Sequence, residues 1–256
     1  MQAPKLKPNN LICLQLAGSR AYGLEKEDSD YDWRGIYLAD SPSSILGLER
    51  DNFKEWKKEG DDEFYWELRH FLKCVRAGNS GAIEMLYGKP LEEGEVWKLI
   101  CLNRVSLFSA EVFYKGLSGY AYNEWRLTIG ERTGQLGSKR FEAVKQYGFS
   151  PKNAVQLLRL LWSGTEFFRS GQFPLNVREF SGPYKDILLS IKFEPSKWTR
   201  DNIERLYLPA ELSLKAAYED SGAYRQSFNE ALANELCFLA YKPLLDSFEP
   251  SQVKKS

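Results

Sequence analysis

Two aspartates two residues apart, Asp30 and Asp32, open a short aromatic run, and a glycine–serine pair, Gly18–Ser19, precedes them. On a strand, side chains two apart point to the same face with Cα atoms ~6.5–7 Å apart. Two carboxylates so placed can converge on one cation, or bridge two cations ~3.5–4 Å apart as in in-line phosphoryl transfer. Mg²⁺ suits such hard oxygen ligands, completed by phosphate oxygens and water. A glycine lets backbone come close to a phosphate, and the Ser19 hydroxyl and neighbouring amides can donate to it. A calcium loop is the competing chemistry, because Asp28, Asp30 and Asp32 stand at the first, third and fifth positions of an EF-hand. It fails at the sixth, Trp33 instead of Gly, and at the twelfth, Ala39 instead of Glu. A solvated Asp-x-Asp on a surface strand is the plain alternative.

The elements that must position these groups are legible from periodicity. Leu11–Ala17 (LICLQLA) reads as a buried strand ending at Gly18, and Asp30–Leu38 (DYDWRGIYL) as a second strand. Residues 52–66 read as a hairpin or two edge strands around a charged turn. From Glu67 the period becomes helical through Leu68, Phe71, Leu72 and Val75, with a stop near Gly78. Helical spacing then covers Val96–Leu117, Pro151–Ser170, Tyr184–Phe193, Asp201–Asp220 and Arg225–Tyr241. Strands crowd the start and helices fill the rest. The expectation is an α+β chain: a small mixed β-sheet core over 1–90, then a helical domain over 91–256.

Composition agrees with a globular chain, since 43% of its 256 residues are hydrophobic and 14% aromatic. The four cysteines form no C-x-x-C pair, which argues against a zinc site or disulfide frame. No apolar stretch reaches the ~18 residues of a membrane span, and the start carries no signal-like segment. The expected location is the cytoplasm, with no membrane partner. Net charge is zero but unevenly spread. Residues 25–67 hold 14 acids against 6 bases, and residues 131–170 hold 3 acids against 7 bases. An acidic segment suits metal and a basic one suits phosphate, although solvated faces explain both equally well.

The run Gly18-Ser19-Arg20-Ala21-Tyr22-Gly23, followed by Ser29-Asp30-Tyr31-Asp32-Trp33-Arg34-Gly35, resembles a signature of the DNA polymerase beta superfamily of nucleotidyltransferases. More narrowly it resembles the YcgL-like branch, with its polymerase-beta-like proteins associated with RNA repair. GDDEFYWELRHFLKCVRAGNSGAIEMLYG, LSGYAYNEW and KQYGFSPKNAVQLLRLL match later segments in order, so the resemblance spans roughly residues 11–195. It implies a nucleotidyltransferase core in which Asp30 and Asp32 bind Mg²⁺ (or Mn²⁺) and Gly18, Ser19 and Arg20 hold a nucleoside triphosphate (NTP). A third carboxylate on a neighbouring strand, which activates the attacking hydroxyl and shares the metal, falls on Asp62, with Glu63 as its rival. Lys152 and Arg159, two helical turns apart, match a K-x-A-x-x-x-x-R pattern that binds the triphosphate or nucleic acid.

The chain departs from the pattern at Ser80, at Asn123–Glu124 and at Asn153, none of them in the metal motif. Glu84 matches a family glutamate but equally suits a pairing role at a helix start. His70, the sole histidine, reads as structural. Tyr120, Tyr122 and Trp125 can stack on a base, or fill core. The acceptor implied is an RNA or DNA end. A protein hydroxyl receiving AMP and a non-catalytic NTP-binding protein are the rival readings.

Overall fold

The computed structural model describes residues 4, 8–46, 63–132, 138–222 and 227–247. The apolar run Leu11–Ala17 forms strand β1, followed at once by a single helical turn, α1 (Gly18–Ala21). Strand β2 (Asp32–Tyr37) returns antiparallel to β1, pairing Ala17 with Asp32 and Gln15 with Arg34. A short helix α2 (Pro42–Leu46) precedes β3 (Glu63–Glu67), which lies parallel to β2 with Trp33 opposite Glu63. Helices α3 (Leu68–Arg76) and α4 (Ser80–Tyr87) lead to β4 (Pro90–Glu93), antiparallel to β1 on its other side. The mixed sheet therefore runs β3-β2-β1-β4. This is the α+β arrangement expected.

The rest is helical: α5 (Glu95–Leu102), α6 (Ala110–Thr128), α7 (Ser138–Tyr147), α8 (Pro151–Ser170), α9 (Tyr184–Phe193), α10 (Arg200–Asp220) and α11 (Glu230–Asp246). The helix expected over Val96–Leu117 is broken. Chain 104–107 tightens to a 3₁₀ turn, and Ser109 restarts the helix by accepting from the Val112 amide at 3.4 Å. Leu107 and Phe108 stay buried through the break, so the apolar spacing continues where the helix does not. Helix α4 escaped the periodicity because it opens on Ser80–Gly81. Asn79 starts it by accepting from the Ala82 amide at 3.0 Å. Of the hairpin expected over residues 52–66, the part from Glu63 on is β3, and residues 52–62 lie outside the described residues.

Strand alternation gives the sheet two different faces. Cys13, Ile36 and Trp66 face the helices and join an apolar cluster that continues through α8 to Tyr241 on α11. Leu14, Trp33 and Tyr65 form a second cluster on the opposite face. Among the described residues this first cluster runs from the sheet into the helices. The division expected after residue 90 falls inside β4.

Tyr241 shows how the last helix is tied to the sheet. Its hydroxyl donates to Glu67, which also starts α3 by accepting from the Arg69 and His70 amides. The same oxygen accepts from the Ala39 amide at 3.1 Å. Tyr241→Phe leaves a buried amide and part of a buried carboxylate unsatisfied, and should cost about 1–3 kcal/mol. Thermal melting should show a lower Tm for the variant; an unchanged Tm would mean that these bonds do not hold α11.

Candidate active site

The chain turns sharply where β1 ends. Gly18 sits at φ +59°, the left-handed region in which a side chain is strained, and a Cβ there would lie 1.7 Å from Asp32 Oδ2. Asp32 is the strand partner of Ala17, so its carboxylate presses against the Gly18 α-carbon at the mouth of the turn. Only glycine fits. The turn closes through the Tyr22 amide to the Gly18 carbonyl (3.1 Å) and the Leu24 amide to the Ser19 carbonyl (2.9 Å). Ser19 is partly exposed beside it.

Asp30 is exposed just before β2. The Tyr31 and Trp33 rings stack with 16° between planes and 6.4 Å between centroids. Tyr31 thus shares the face of Trp33, opposite the face that carries Asp32. Arg20 holds this approach. Its guanidinium donates to the carbonyls of Ser29 (2.5 Å), Asp30 (3.2 Å) and Glu27 (3.4 Å), and lies 3.9 Å over the Tyr31 ring. What reads as a phosphate-facing arginine is committed to shaping the loop that presents Asp30.

Glu63 does not share the Asp32 face. It pairs with Trp33, is buried on the second face, and accepts from the Tyr65 hydroxyl at 3.2 Å. Burial, then the Glu63 charge, raises the Tyr65 phenol above its ordinary range. Phe64, the partner of Arg34, is on the Asp32 face. Asp62 lies outside the described residues. Among the described residues no group of three or more metal-ligating side chains occurs. Asp30 and Asp32 still suit Mg²⁺, which is commonly held by one or two carboxylates and completed by substrate phosphates.

Beside Asp32 on the same face, Arg34 enters a buried network centred on Glu84 of α4. Glu84, with its side chain 8% exposed, accepts from Arg159 of α8 at 2.7 Å and from the Tyr22 hydroxyl at 2.7 Å. Arg34 completes it at 3.7 Å. Arg159 is fully buried, with its guanidinium 3.7 Å over the Tyr22 ring. Burial alone would raise the Glu84 pKa, but Arg159, Arg34 and the two hydrogen bonds outweigh it and hold the group below its ordinary 4.5. Tyr22 moves the other way, its phenol raised by burial and then by Glu84. Arg159 is thus no surface partner for Lys152, although one helix carries both.

Lys152 is exposed at the start of α8 and belongs to a different group. Lys192, at the end of α9, is held below its ordinary pKa by burial first and then by Lys152 and Lys26, with Glu25 opposing. The Lys26 and Lys192 ammonium groups each lie 5.7 Å from the Phe193 ring. Three lysines from three distant stretches of chain converge next to the loop that carries Asp30. Sequence reading missed Lys26 and Lys192, since neither falls in a motif. Of the aromatics, Trp125 is core, stacked on Tyr207 at 4.7 Å, and Tyr122 is exposed. Tyr120 is partly exposed, and burial, then Glu124, raises its phenol to about 12. His70 sits on α3, 3.5 Å from the Cys74 sulfur.

A mixed four-stranded sheet backed by helices is consistent with a polymerase-beta-like fold. A family model described as "RlaP: RNA repair pathway DNA polymerase beta family" matches residues 5–180. The chain belongs to that family. No curated protein and no solved structure gives a significant match. No helix of the described residues is long and apolar enough to cross a membrane.

The Glu84 network makes a pH-dependent prediction. A carboxyl whose pKa is lowered on folding adds stability above its unfolded value, and that stability is lost as pH falls through the folded value. Glu84→Gln leaves Arg159 buried without its counter-charge and should cost about 3–5 kcal/mol near neutrality. The Tm gap between variant and wild type should begin to narrow below about pH 4.5, where the unfolded carboxylate takes up a proton, and close as pH falls through the lower folded value. An equal gap at pH 7 and in acid would contradict the ion pair.

Proposed function

We propose that the chain is a Mg²⁺-dependent nucleotidyltransferase that moves a nucleotide from an NTP to a hydroxyl at a nucleic-acid end, RNA foremost. The observation that carries this reading is the Asp32 carboxylate against the Gly18 α-carbon, where a methyl group cannot fit. Such a contact brings a metal-ligating oxygen and a phosphate-sized turn to one point. Family membership supports the reaction class, and the phrase "RNA repair pathway" in its description supports an RNA acceptor.

In this proposal the Gly18–Ser19 amides and the Ser19 hydroxyl donate to the triphosphate, and Arg20 fixes the loop that aims Asp30. Mg²⁺ (or Mn²⁺), when bound by Asp30, Asp32 and Asp62, supplies charge neutralisation on the transferring phosphoryl group. Asp62 accepts the proton of the acceptor hydroxyl as its oxygen attacks the α-phosphorus. The bond from the α-phosphorus to the bridging oxygen breaks and pyrophosphate departs. Glu63, the rival for this role, is buried on the other face and bonded to Tyr65. Lys152, with Lys26 and Lys192, offers positive charge to the triphosphate or acceptor backbone. Arg159 acts through Glu84 and Tyr22, steadying the turn rather than touching phosphate. Tyr120 is the aromatic best placed to meet a base, being partly exposed beside this network.

Two tests follow. Asp30→Asn and Asp32→Asn should each abolish transfer to an RNA primer while Tm holds or rises, because removing one of two like charges relieves repulsion. Transfer retained in both single variants would refute the carboxylate assignment. Asp62→Ala should remove ~10²–10⁴-fold of the rate or more. Glu63→Ala should act mainly on stability, through Tyr65. The reverse pattern, with Glu63 essential and Asp62 dispensable, would overturn the choice of third carboxylate.

A further inference from the structure

Chain 174–181 is a strap with two sides. On one side it holds the catalytic turn, since the Val177 amide donates to the Tyr22 carbonyl at 2.9 Å and Asn176 Nδ2 to the Ala21 carbonyl at 3.4 Å. Gly23, at φ +66°, packs so closely that a Cβ would lie 2.4 Å from Asn176 Oδ1. The strap is stiffened by a capping box in which Asn176 and Glu179 bond each other's backbone. On its other side a cavity of about 850 Å³ opens between α8, α9 and α10.

Two kinds of group line that cavity. Trp162 of α8 and Tyr184 of α9 lie 4.4 Å apart, with Phe180 of the strap edge-on to Tyr184 at 6.4 Å. Trp162 is buried and Tyr184 is 38% exposed, so the tyrosine ring is the accessible face and the indole backs it. Arg169 and Arg205 also line the cavity, are exposed, and have no hydrogen-bond or ion-pair partner among the described residues. Of the two lining carboxylates, Glu179 of the strap is already used by Lys89 at 3.0 Å and by the strap amides, and Glu166 of α8 is exposed. Unspent planar guanidinium groups suit phosphate, and an accessible aromatic face suits a base. The volume lies within the range of small-molecule sites.

We infer that this cavity binds a nucleotide unit, its base on Tyr184 and its phosphate between Arg169 and Arg205. The chemistry is the same for a free nucleotide and for one unit of a single strand. The inference goes beyond the transfer reaction, because binding here uses neither Asp30 nor Asp32. An occupant would touch the strap that holds Ala21–Gly23, which gives the cavity a direct mechanical link to the phosphate turn.

The test uses the full chain with excess chelator, so that no metal and no turnover contribute. Fluorescence anisotropy is read with a labelled short single-stranded RNA and, separately, with a fluorescent AMP analogue. The R169E/R205E double variant should weaken at least one probe by about tenfold or more, because two phosphate contacts become repulsions. Tyr184→Ala should weaken the same probe, and Asp30→Asn should leave it unchanged. Loss with RNA alone assigns the cavity to a strand, and loss with AMP alone assigns it to a free nucleotide. Unchanged binding of both probes by the double variant overturns the inference, as does failure of wild type to bind either. A loss with the arginine variant but none with Tyr184→Ala marks a bare basic surface and overturns it too. If transfer is absent from wild type but these losses hold, the proposed reaction falls and the cavity stands.

Discussion

A single buried carboxylate, Glu84, joins the parts of this molecule that have to stay in register. It takes one arginine from the sheet (Arg34), one from the long helix α8 (Arg159) and a hydroxyl from the glycine turn (Tyr22). Each partner is costly to bury alone. A guanidinium as deeply enclosed as Arg159 is tolerated only with its charge matched and its plane covered, here by Glu84 and the Tyr22 ring. The network is thus all-or-none in character, and the turn, β2 and α8 keep one relative placement. That placement sets the distance between the carboxylates at the strand end and the lysines on the helices.

From this constraint the site divides by function. The face of β2 that carries Asp32 also carries Arg34, so the candidate metal-binding side chain and the structural one are neighbours on one strand. Arg20 and the Asn176 strap hold the two ends of the intervening loop through main-chain carbonyls, which leaves Glu27, Asp28 and Asp30 exposed. The Lys26–Lys152–Lys192 group then places positive charge beside that loop, with Glu25 offsetting part of it. Acid on one side and base on the other is the electrostatic layout needed to hold a metal–triphosphate complex.

Much of this was legible in the residues, for physical reasons that also explain the rest. β1, α8 and α9 were readable to the residue because each is bounded by punctuation: Gly18 after β1, Gly171 after α8 and Pro183 before α9. The Gly18 turn was readable because a positive-φ glycine is a local property. Arg159 was read, with Lys152, as holding triphosphate or nucleic acid, and helical spacing, which gives direction but not depth, did not show its burial. Its burial depends on Glu84, 75 residues away in sequence. Lys26 and Lys192 carried no local signal, since only the packing of α9 against the turn makes them a group. The break between α5 and α6 was hidden because Leu107 and Phe108 keep the apolar rhythm through a 3₁₀ turn. The choice between Asp62 and Glu63 hung on one residue of register. The pairing of Glu63 with Trp33 settles the face of Glu63, and that alone.

The central claim is that this turn and aspartate pair move a nucleotide onto a nucleic-acid end. It is tested most directly by incubating the pure protein with Mg²⁺, a single-stranded RNA and an NTP labelled either at the α- or at the γ-phosphate. The account predicts that α-label becomes attached to the RNA, that γ-label leaves as pyrophosphate, and that no label stays on the protein. Transfer of the γ-label, or α-label found on protein instead of RNA, would contradict it.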